Sequence, residues 1–285
     1  MDRLLVSVSG GETSAYMAFL LKQAFGNSKD LRFVFANTGQ EYHKTLDFVR
    51  RIDEEWALGI TWVEAAVNSD RGSGTRHRVV TPETASLDGR PFADVIAKYG
   101  LPGPGYGHCN RELKLAPITS FLRSEGWDAG TYHTAIGIRA DEIDRMSASA
   151  SRAKILYPLV KLGVTKRDVR AFFDGLGWSL GLPDYLGNCV WCWKKSMRKL
   201  RLVAQDNPGH FDFPARMESA YETRRLDGRI ENPPRRFFRG RKRVSDILDM
   251  ALDARPLPED ADVQGSCGET CEVWADDFQE GLDLL

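Results

Sequence analysis

The stretch Leu4-Leu5-Val6-Ser7-Val8-Ser9-Gly10-Gly11-Glu12-Thr13-Ser14 decides how the rest of the chain is read. Leu4 to Val8 is a short apolar run rich in β-branched residues, the pattern of a buried strand. Ser-Gly-Gly ends it. From Ser14 to Phe25 apolar residues return at helical spacing, at Ala15, Met17, Ala18 and Leu21, with Thr13 or Ser14 placed to cap the helix. A strand, a glycine turn and a helix in that order suit an anion. Glycine lets the backbone adopt conformations closed to other residues and approach a ligand closely. The first-turn N–H groups have no intrahelical partner and lie at the positive end of the helix dipole. Ser9, Thr13 and Ser14 add hydroxyl donors. The spacing is not that of a Walker A loop, which needs Gly-x-x-x-x-Gly-Lys-Ser/Thr. A plain glycine turn is the competing reading.

Working outward, Leu31 to Ala36 reads as a second strand, ending at Asn37-Thr38-Gly39. A helix follows from about Tyr42 to Trp56, then a third strand from Ile60 to Glu64. Strands alternating with helices at these lengths predict a parallel sheet with helical crossovers, an α/β fold with helices on both faces. Residues 68 to 108 lose strong periodicity. They read as a long irregular excursion holding one short helix, about Phe92 to Tyr99, of the kind that often serves as a lid. Arg111 to Arg123 resumes a helical pattern. Tyr132 to Ile138 reads as a fourth strand, Tyr157-Pro158-Leu159 as a brief extended piece, and Thr165 to Leu176 as a helix capped by Thr165. The character changes near Gly181, which divides an α/β unit carrying the candidate anion loop, residues 1–180, from a cysteine-containing basic C-terminal region with an acidic tail, residues 181–285.

The 285 residues, 42% hydrophobic, are enough for one large core or a core with a smaller appended unit. A formal net charge of -1 excludes a generic polyanion binder, so any nucleic-acid contact has to come from a local patch. No apolar run is long enough to span a bilayer, and the N-terminus runs straight into a strand without a leader pattern. A cytoplasmic protein with no membrane partner is expected. The cysteines, Cys109, Cys189, Cys192, Cys267 and Cys271, are odd in number in a chain too large to need disulfide staples. Cys189-Val190-Trp191-Cys192 lets two thiolates reach one metal or cluster, with partners drawn from the other three. A redox dithiol and buried unliganded cysteines are the alternatives.

Two segments are basic. Residues 194–201 contain Lys194, Lys195, Arg198, Lys199 and Arg201. Residues 235–243 contain Arg235, Arg236, Arg239, Arg241, Lys242 and Arg243, with Phe237 and Phe238 between them. They suit a nucleic-acid backbone, the phenylalanines stacking on bases. Alternatively they form a solvated face neutralised by the tail, which from Glu259 onward carries nine acids and no Lys or Arg.

The loop Ser9-Gly10-Gly11-Glu12-Thr13-Ser14 resembles the pyrophosphate loop, Ser-Gly-Gly-x-Asp/Thr-Ser, of the adenine nucleotide α-hydrolase superfamily. Within it the chain is most similar to the phosphoadenosine phosphosulfate reductase-like group, particularly its phage- and prophage-type members. Further segments follow in that group's order: Phe35-Ala36-Asn37-Thr38-Gly39-Gln40-Glu41 with Thr45-Leu46-Asp47-Phe48-Val49; Cys109-Asn110-Arg111-Glu112-Leu113-Lys114; Gly137-Ile138-Arg139-Ala140-Asp141-Glu142; Tyr157-Pro158-Leu159; and Gly187-Asn188-Cys189-Val190-Trp191-Cys192. The likeness covers about residues 4 to 200.

The resemblance implies a Rossmann-like sandwich that binds ATP or a related adenine nucleotide with Mg²⁺. It puts Ser9, Gly10, Gly11, Thr13 and Ser14 on the phosphates, Asn37, Thr38 and Gly39 near adenine and ribose, and Arg111, Lys114, Gly137 and Arg139 among the nucleotide contacts. Ser9, Arg139 and Asp141 become the candidate catalytic residues. Arg139 stands where open α/β sheets bind ligands and can pair bidentately with phosphate or sulfate, or else bridge to Asp141 or Glu142. Arg111 and Lys114, three apart on one helix face, either meet an anion or line a solvated face. His108 beside Cys109 is a further candidate ligand or base.

The same resemblance favours a [4Fe–4S] cluster over Zn²⁺, held by Cys109, Cys189, Cys192 and Cys271. It implies an ATP-pyrophosphatase that adenylates an acceptor during sulfur transfer to nucleic acid, with a sulfur donor protein as a further partner. The alternatives are a sulfonucleotide reductase, for which Ser266-Cys267-Gly268-Glu269 offers a nucleophile, and a nucleotide- or nucleic-acid-binding protein without catalysis. Many relatives carry Lys or Arg where this chain has Glu12, and a carboxylate there repels a triphosphate unless it points away or helps hold Mg²⁺.

Overall fold

The computed structural model of the chain describes residues 2–70 and 72–253. Among the described residues six strands form one sheet: β1 (Arg3–Val8), β2 (Asp30–Asn37), β3 (Thr61–Ala66), β4 (Arg76–Val80), β5 (His133–Ala135) and β6 (Ile155–Leu156). Their order is β4-β3-β2-β1-β5-β6, and every pairing is parallel except β3 with β4. The α-helical segments described with them are α1 (Glu12–Phe25), α2 (His43–Trp56), α3 (Arg90–Tyr99), α4 (His108–Asn110), α5 (Ala116–Ser124), α6 (Pro158–Lys161), α7 (Lys166–Leu176), α8 (Met197–Asp206), α9 (Asp212–Tyr221) and α10 (Val244–Leu252). The expected α/β sheet with helices on both faces is present.

The two-residue period of β1 splits its side chains between two cores. Leu4, Val6 and Val8 pack with Ala15, Met17 and Leu21 of α1, Leu46, Phe48, Val49 and Ile52 of α2, and Val169 and Phe173 of α7. Leu5 turns to the other face and joins Val34, Ala36 and Val63 against Ile118, Phe121 and Leu122 of α5. Each fully buried side chain of this size contributes about 1.5–3 kcal/mol. A further apolar cluster draws Ala65, Phe92, Val95, Ile96 and Leu113 together with Leu186, Cys189, Val190, Trp191, Cys192, Leu200, Val203, Phe237, Phe238 and Ile247. Residues beyond 181 thus share a core with the segment 65–113.

Several sequence expectations need correction. The excursion after β3 contains β4, an antiparallel edge strand whose residues Arg76-His77-Arg78-Val79-Val80 are mostly exposed or half-buried. The fourth predicted strand shortens to His133–Ala135. Tyr157-Pro158-Leu159 is not extended, because Pro158 opens the turn of α6, where its missing N–H costs nothing. The helix begun at Cys109 is wound as a π-helix over Arg111–Leu115 before α5. At the first helix the cap is Gly11, not Thr13 or Ser14, and no side chain bonds the helix end. Thr165 does cap α7, in a reciprocal box with Asp168. Among the described residues no helix is long and apolar enough to cross a membrane.

Candidate functional site

The order in which strands are added to the sheet reverses at β1: its neighbours, both parallel to it, are β2 on one side and β5 on the other. In an open α/β sheet such a switch point leaves a crevice at the carboxyl ends of the strands, where ligands bind. Two loops meet here, Ser9–Gly11 after β1 and Ile136–Arg139 after β5.

The first loop is built to stay open and rigid. Gly10 has φ +86°, and a Cβ there would lie 2.5 Å from Thr45 Cγ2 and 3.3 Å from Phe35, so the backbone rests directly on α2 and β2. Ser14, fully buried, accepts from Ser9 N–H at 3.0 Å and Ser9 Oγ at 2.9 Å, and donates to the Gly11 carbonyl at 3.0 Å. The hydroxyls of Ser9 and Ser14 thus staple the loop. What it offers an anion is the uncapped first turn of α1.

Arg139 spans the crevice. Its guanidinium is buried and donates from Nη1 to Thr13 Oγ1 at 2.9 Å. Its Nε bonds Asp141 at 3.1 Å, and Nη2 lies 3.4 Å from Glu142. The salt bridges considered as the alternative for Arg139 are therefore present, together with a bond to the first turn of α1. Asp141 also accepts from the Lys166 N–H at 3.1 Å. Burial raises its pKa, but the Arg139 hydrogen bond and charge outweigh this and hold it below the ordinary carboxylate value. Gly137 lies in the same loop, between β5 and Arg139. Glu12 turns toward the backbone, Oε1 accepting from Leu180 N–H at 3.0 Å.

The turn after β2 is locked by its own side chains. Asn37, fully buried, donates to Glu64 Oε1 at 2.7 Å and to the Ser86 carbonyl at 2.8 Å, and accepts from Gly39 N–H at 3.2 Å. Thr38 gives its N–H and its hydroxyl to Glu41, at 3.0 and 2.8 Å. The side-chain polar groups of Asn37 and Thr38 are thus engaged within the protein. Glu41 escaped the sequence reading, although Thr38-x-x-Glu41 is the spacing of a reciprocal box. Burial pushes its carboxyl pKa up, against the opposing charge of Lys114. Glu64, Ser86 and Arg78 were also missed; their contacts cross 14 to 49 residues.

Cys109, Cys189 and Cys192, more than 75 residues apart at the extremes, line one recess with Thr38, Phe92, Lys114, Trp193 and Lys194. Cys189 Sγ lies 3.3 Å from Thr38 Oγ1, Glu41 and Cys189 pair as a backbone bridge, and Val190 N–H donates to Gln40 O at 3.0 Å. The cysteine loop is thus fastened to the turn after β2, beside the crevice. Lys195 fixes it from beneath: its buried ammonium donates to the carbonyls of Tyr185, Gly187 and Val190 at 2.7, 2.7 and 2.9 Å. Trp193 Nε1 is buried without a hydrogen-bond partner. Among the described residues no three His, Cys, Asp or Glu side chains are gathered closely enough to hold a single metal ion. Cys267 and Cys271 lie outside the described residues.

Lys114 lies in this recess, while Arg111 pairs with Glu112 at 2.9 Å. His108 is held by the Gly100 carbonyl at 3.1 Å, and its burial beside Arg235 lowers its pKa to about 4, so it is neutral at physiological pH.

The stacking role expected of Phe237 and Phe238 is overturned. Both are fully buried, Phe237 edge-on to Trp191 at 5.0 Å and Phe238 packed near Phe211. Within the basic segments, Lys195 is internal, Arg235 bonds Glu231 and the Tyr99 carbonyl, and Arg236 pairs with Glu222. These cations hold the C-terminal region together.

Among known proteins, the chain is 33% identical over 292 aligned residues to the uncharacterized nin region protein ORF290 of Escherichia phage lambda, with 98% of each chain covered. The uncharacterized protein MJ0973 of Methanocaldococcus jannaschii is 25% identical over 187 residues, 66% of this chain and 34% of that one. The uncharacterized protein MJ0066 of the same organism is 26% identical over 119 residues, 42% of this chain and 19% of that one. No family model matches the chain.

Proposed function

The chain belongs to the family of the phage lambda nin region protein ORF290, and we propose that it is an adenine-nucleotide-dependent enzyme of the phosphoadenosine phosphosulfate reductase-like group, an ATP-pyrophosphatase that adenylates an acceptor during sulfur transfer. The observation that carries this reading is the Arg139–Thr13 bond. It brings a buried guanidinium to the uncapped N-terminus of α1 at the switch point of the sheet. Backbone N–H groups and a fixed guanidinium are suited to a leaving pyrophosphate, since they stabilise developing charge without reorganising. Glu12 is compatible with a polyphosphate because its carboxylate is turned to Leu180. Asp141, 40% exposed, is the carboxylate at this corner that the Mg²⁺ of a bound nucleotide would meet.

The adjacent recess supports the sulfur half of the reading. Three thiols face one cavity with an unpartnered indole N–H beside them. This suits a [4Fe–4S] cluster, which spreads its thiolate ligands more widely than a single ion does, held by Cys109, Cys189 and Cys192 with a fourth ligand from elsewhere. Such a cluster would supply a site for sulfur. Lys195 keeps the cysteine loop in shape, and Thr38 and Glu41 hold it against the turn after β2. By the same resemblance the acceptor is a nucleic acid. With Phe237 and Phe238 buried, its contact is electrostatic, through cations of the 194–201 segment other than Lys195.

The test is pyrophosphate release from ATP by anaerobically purified protein, with and without RNA or DNA. Release that depends on nucleic acid supports the proposal. No release with any such acceptor counts against it, and sulfite release from a phosphosulfate nucleotide would assign the reductase instead.

A further inference from the structure

The turn before Cys109 carries an exposed aromatic side chain on a rigid base. Gly103 N–H donates to the Tyr106 carbonyl at 3.2 Å and Tyr106 N–H to the Gly103 carbonyl at 2.8 Å, closing the turn Gly103-Pro104-Gly105-Tyr106. Pro104 presets the first central position, and Gly105, at φ +85°, takes the left-handed second one. A Cβ on Gly103 would collide with the Arg236 carbonyl, so the turn rests directly on the basic 235–243 segment. Tyr106 is held from one side. The Arg235 guanidinium lies 3.9 Å from its ring centroid, and its hydroxyl donates to Glu231 at 3.2 Å. Arg235 is itself fixed by Glu231 and the Tyr99 carbonyl, at 3.1 and 2.9 Å. Arg225, 3.7 Å from Glu231, brings a second guanidinium to the same carboxylate. One face of the ring is thus covered, yet the residue is 40% exposed, so its open surface lies on the other face and the rim.

We propose that Tyr106 stacks an unpaired base of a single-stranded nucleic acid. An aromatic ring backed by a guanidinium on one face and open on the other is a platform for a base, and nearby cations take the adjoining phosphates. Phe237 and Phe238 are buried, whereas Tyr106 is an aromatic side chain that the same basic segment, through Arg235, holds at the surface. Cys109 follows three residues later, at most about 11 Å of chain away, and it shares its recess with Lys194. A strand with one base on Tyr106 and phosphates on the cations beginning at Lys194 runs past the thiols. The aromatic contact adds to the electrostatic one, and it rests on the reading of the acceptor as a nucleic acid.

The test is fluorescence anisotropy of labelled single-stranded RNA or DNA, whichever the wild type holds more tightly, with the full chain and the variants Y106A, Y106L and Y106W. Y106A should bind about tenfold more weakly, within the range of one stacked base. Its dependence of log affinity on log salt should keep the wild-type slope, because a stacked base releases no counterions. Y106W, which restores a ring, should bind within about threefold of wild type. A strand carrying 2-aminopurine should be quenched at one position by wild type and Y106W and not by Y106A. Y106L keeps apolar bulk over Arg235 without a π face, so it should lose the quenching too, and it serves should Y106A fail to fold. Wild-type affinity in Y106A, or quenching retained in Y106L, overturns the inference while leaving the acceptor reading intact. A loss with a shallower salt slope also overturns it, since the ring would then only position phosphate-binding arginines. A wild-type chain that binds neither nucleic acid removes the acceptor reading and this inference with it.

Discussion

Arg139 Nη1 donates to Thr13 Oγ1 at 2.9 Å, joining the loop after β5 to the first turn of α1 across the reversal point of the sheet. Two segments 126 residues apart are thereby held as one site. The guanidinium also carries Asp141 and Glu142, so its orientation is fixed before any ligand arrives.

Replacing Arg139 by Lys keeps the charge and loses the planar fork. Pyrophosphate release should fall by about 10²-fold or more, the scale of removing one transition-state donor. Thr13→Val removes only the anchor and should cost less than tenfold. Equal losses in both variants would show that Arg139 acts as scaffold alone.

Gly10→Ala should destabilise the fold more than Gly126→Ala. Both glycines have positive φ, +86° and +76°, and share a conformational penalty of about 1–2 kcal/mol. Only Gly10 also meets Thr45 Cγ2 at 2.5 Å; nothing lies within 4 Å of a Gly126 Cβ. Urea denaturation of the two variants measures the difference, and equal midpoints would contradict the close approach.

Glu12→Gln keeps an acceptor for the Leu180 N–H and should leave nucleotide affinity within about threefold of wild type. Glu12→Ala should lower stability by about 1 kcal/mol, the value of a typical hydrogen bond. A marked gain of ATP affinity in E12Q would mean that the carboxylate faces the phosphates after all.

Lys195→Met removes the cation that three carbonyls share, leaving buried acceptors unpaired at about 1–3 kcal/mol each. The variant should lose stability and any iron that anaerobically purified wild-type protein contains. Metal analysis and the visible spectrum follow this. Full iron content in K195M would separate the loop's shape from cluster binding.

How far the sequence foretells this arrangement differs by element. β1, α1, β2 and α2 are legible because their periods are clean and each presents one apolar face to a core. β4 is not, since an edge strand of Arg-His-Arg lacks the apolar alternation by which strands are recognised. The π-helix at Arg111–Leu115 leaves no mark in composition. At the site, Ser9–Ser14 and Arg139 announce themselves by residue type and position. The inward commitment of Asn37 does not, because its partner Glu64 lies 27 residues away. Phe237 and Phe238 are illegible for the same reason: two phenylalanines among arginines look exposed until Trp191 is placed against the first and Phe211 near the second. The cysteines show the limit in the other direction. The Cys-x-x-Cys spacing puts two thiols together, whereas Cys109 is joined to them in the sequence only by the family resemblance and in the structure by a shared recess.

The claim that an adenine nucleotide sits at the switch point is tested most directly by calorimetric titration of ATP·Mg²⁺ into the wild-type chain and into folded Gly10→Ala and Arg139→Gln variants. The account predicts one site per chain in the wild type, with affinity falling at least tenfold in each variant. No heat of binding in the wild type, or equal affinity in all three proteins, would contradict it.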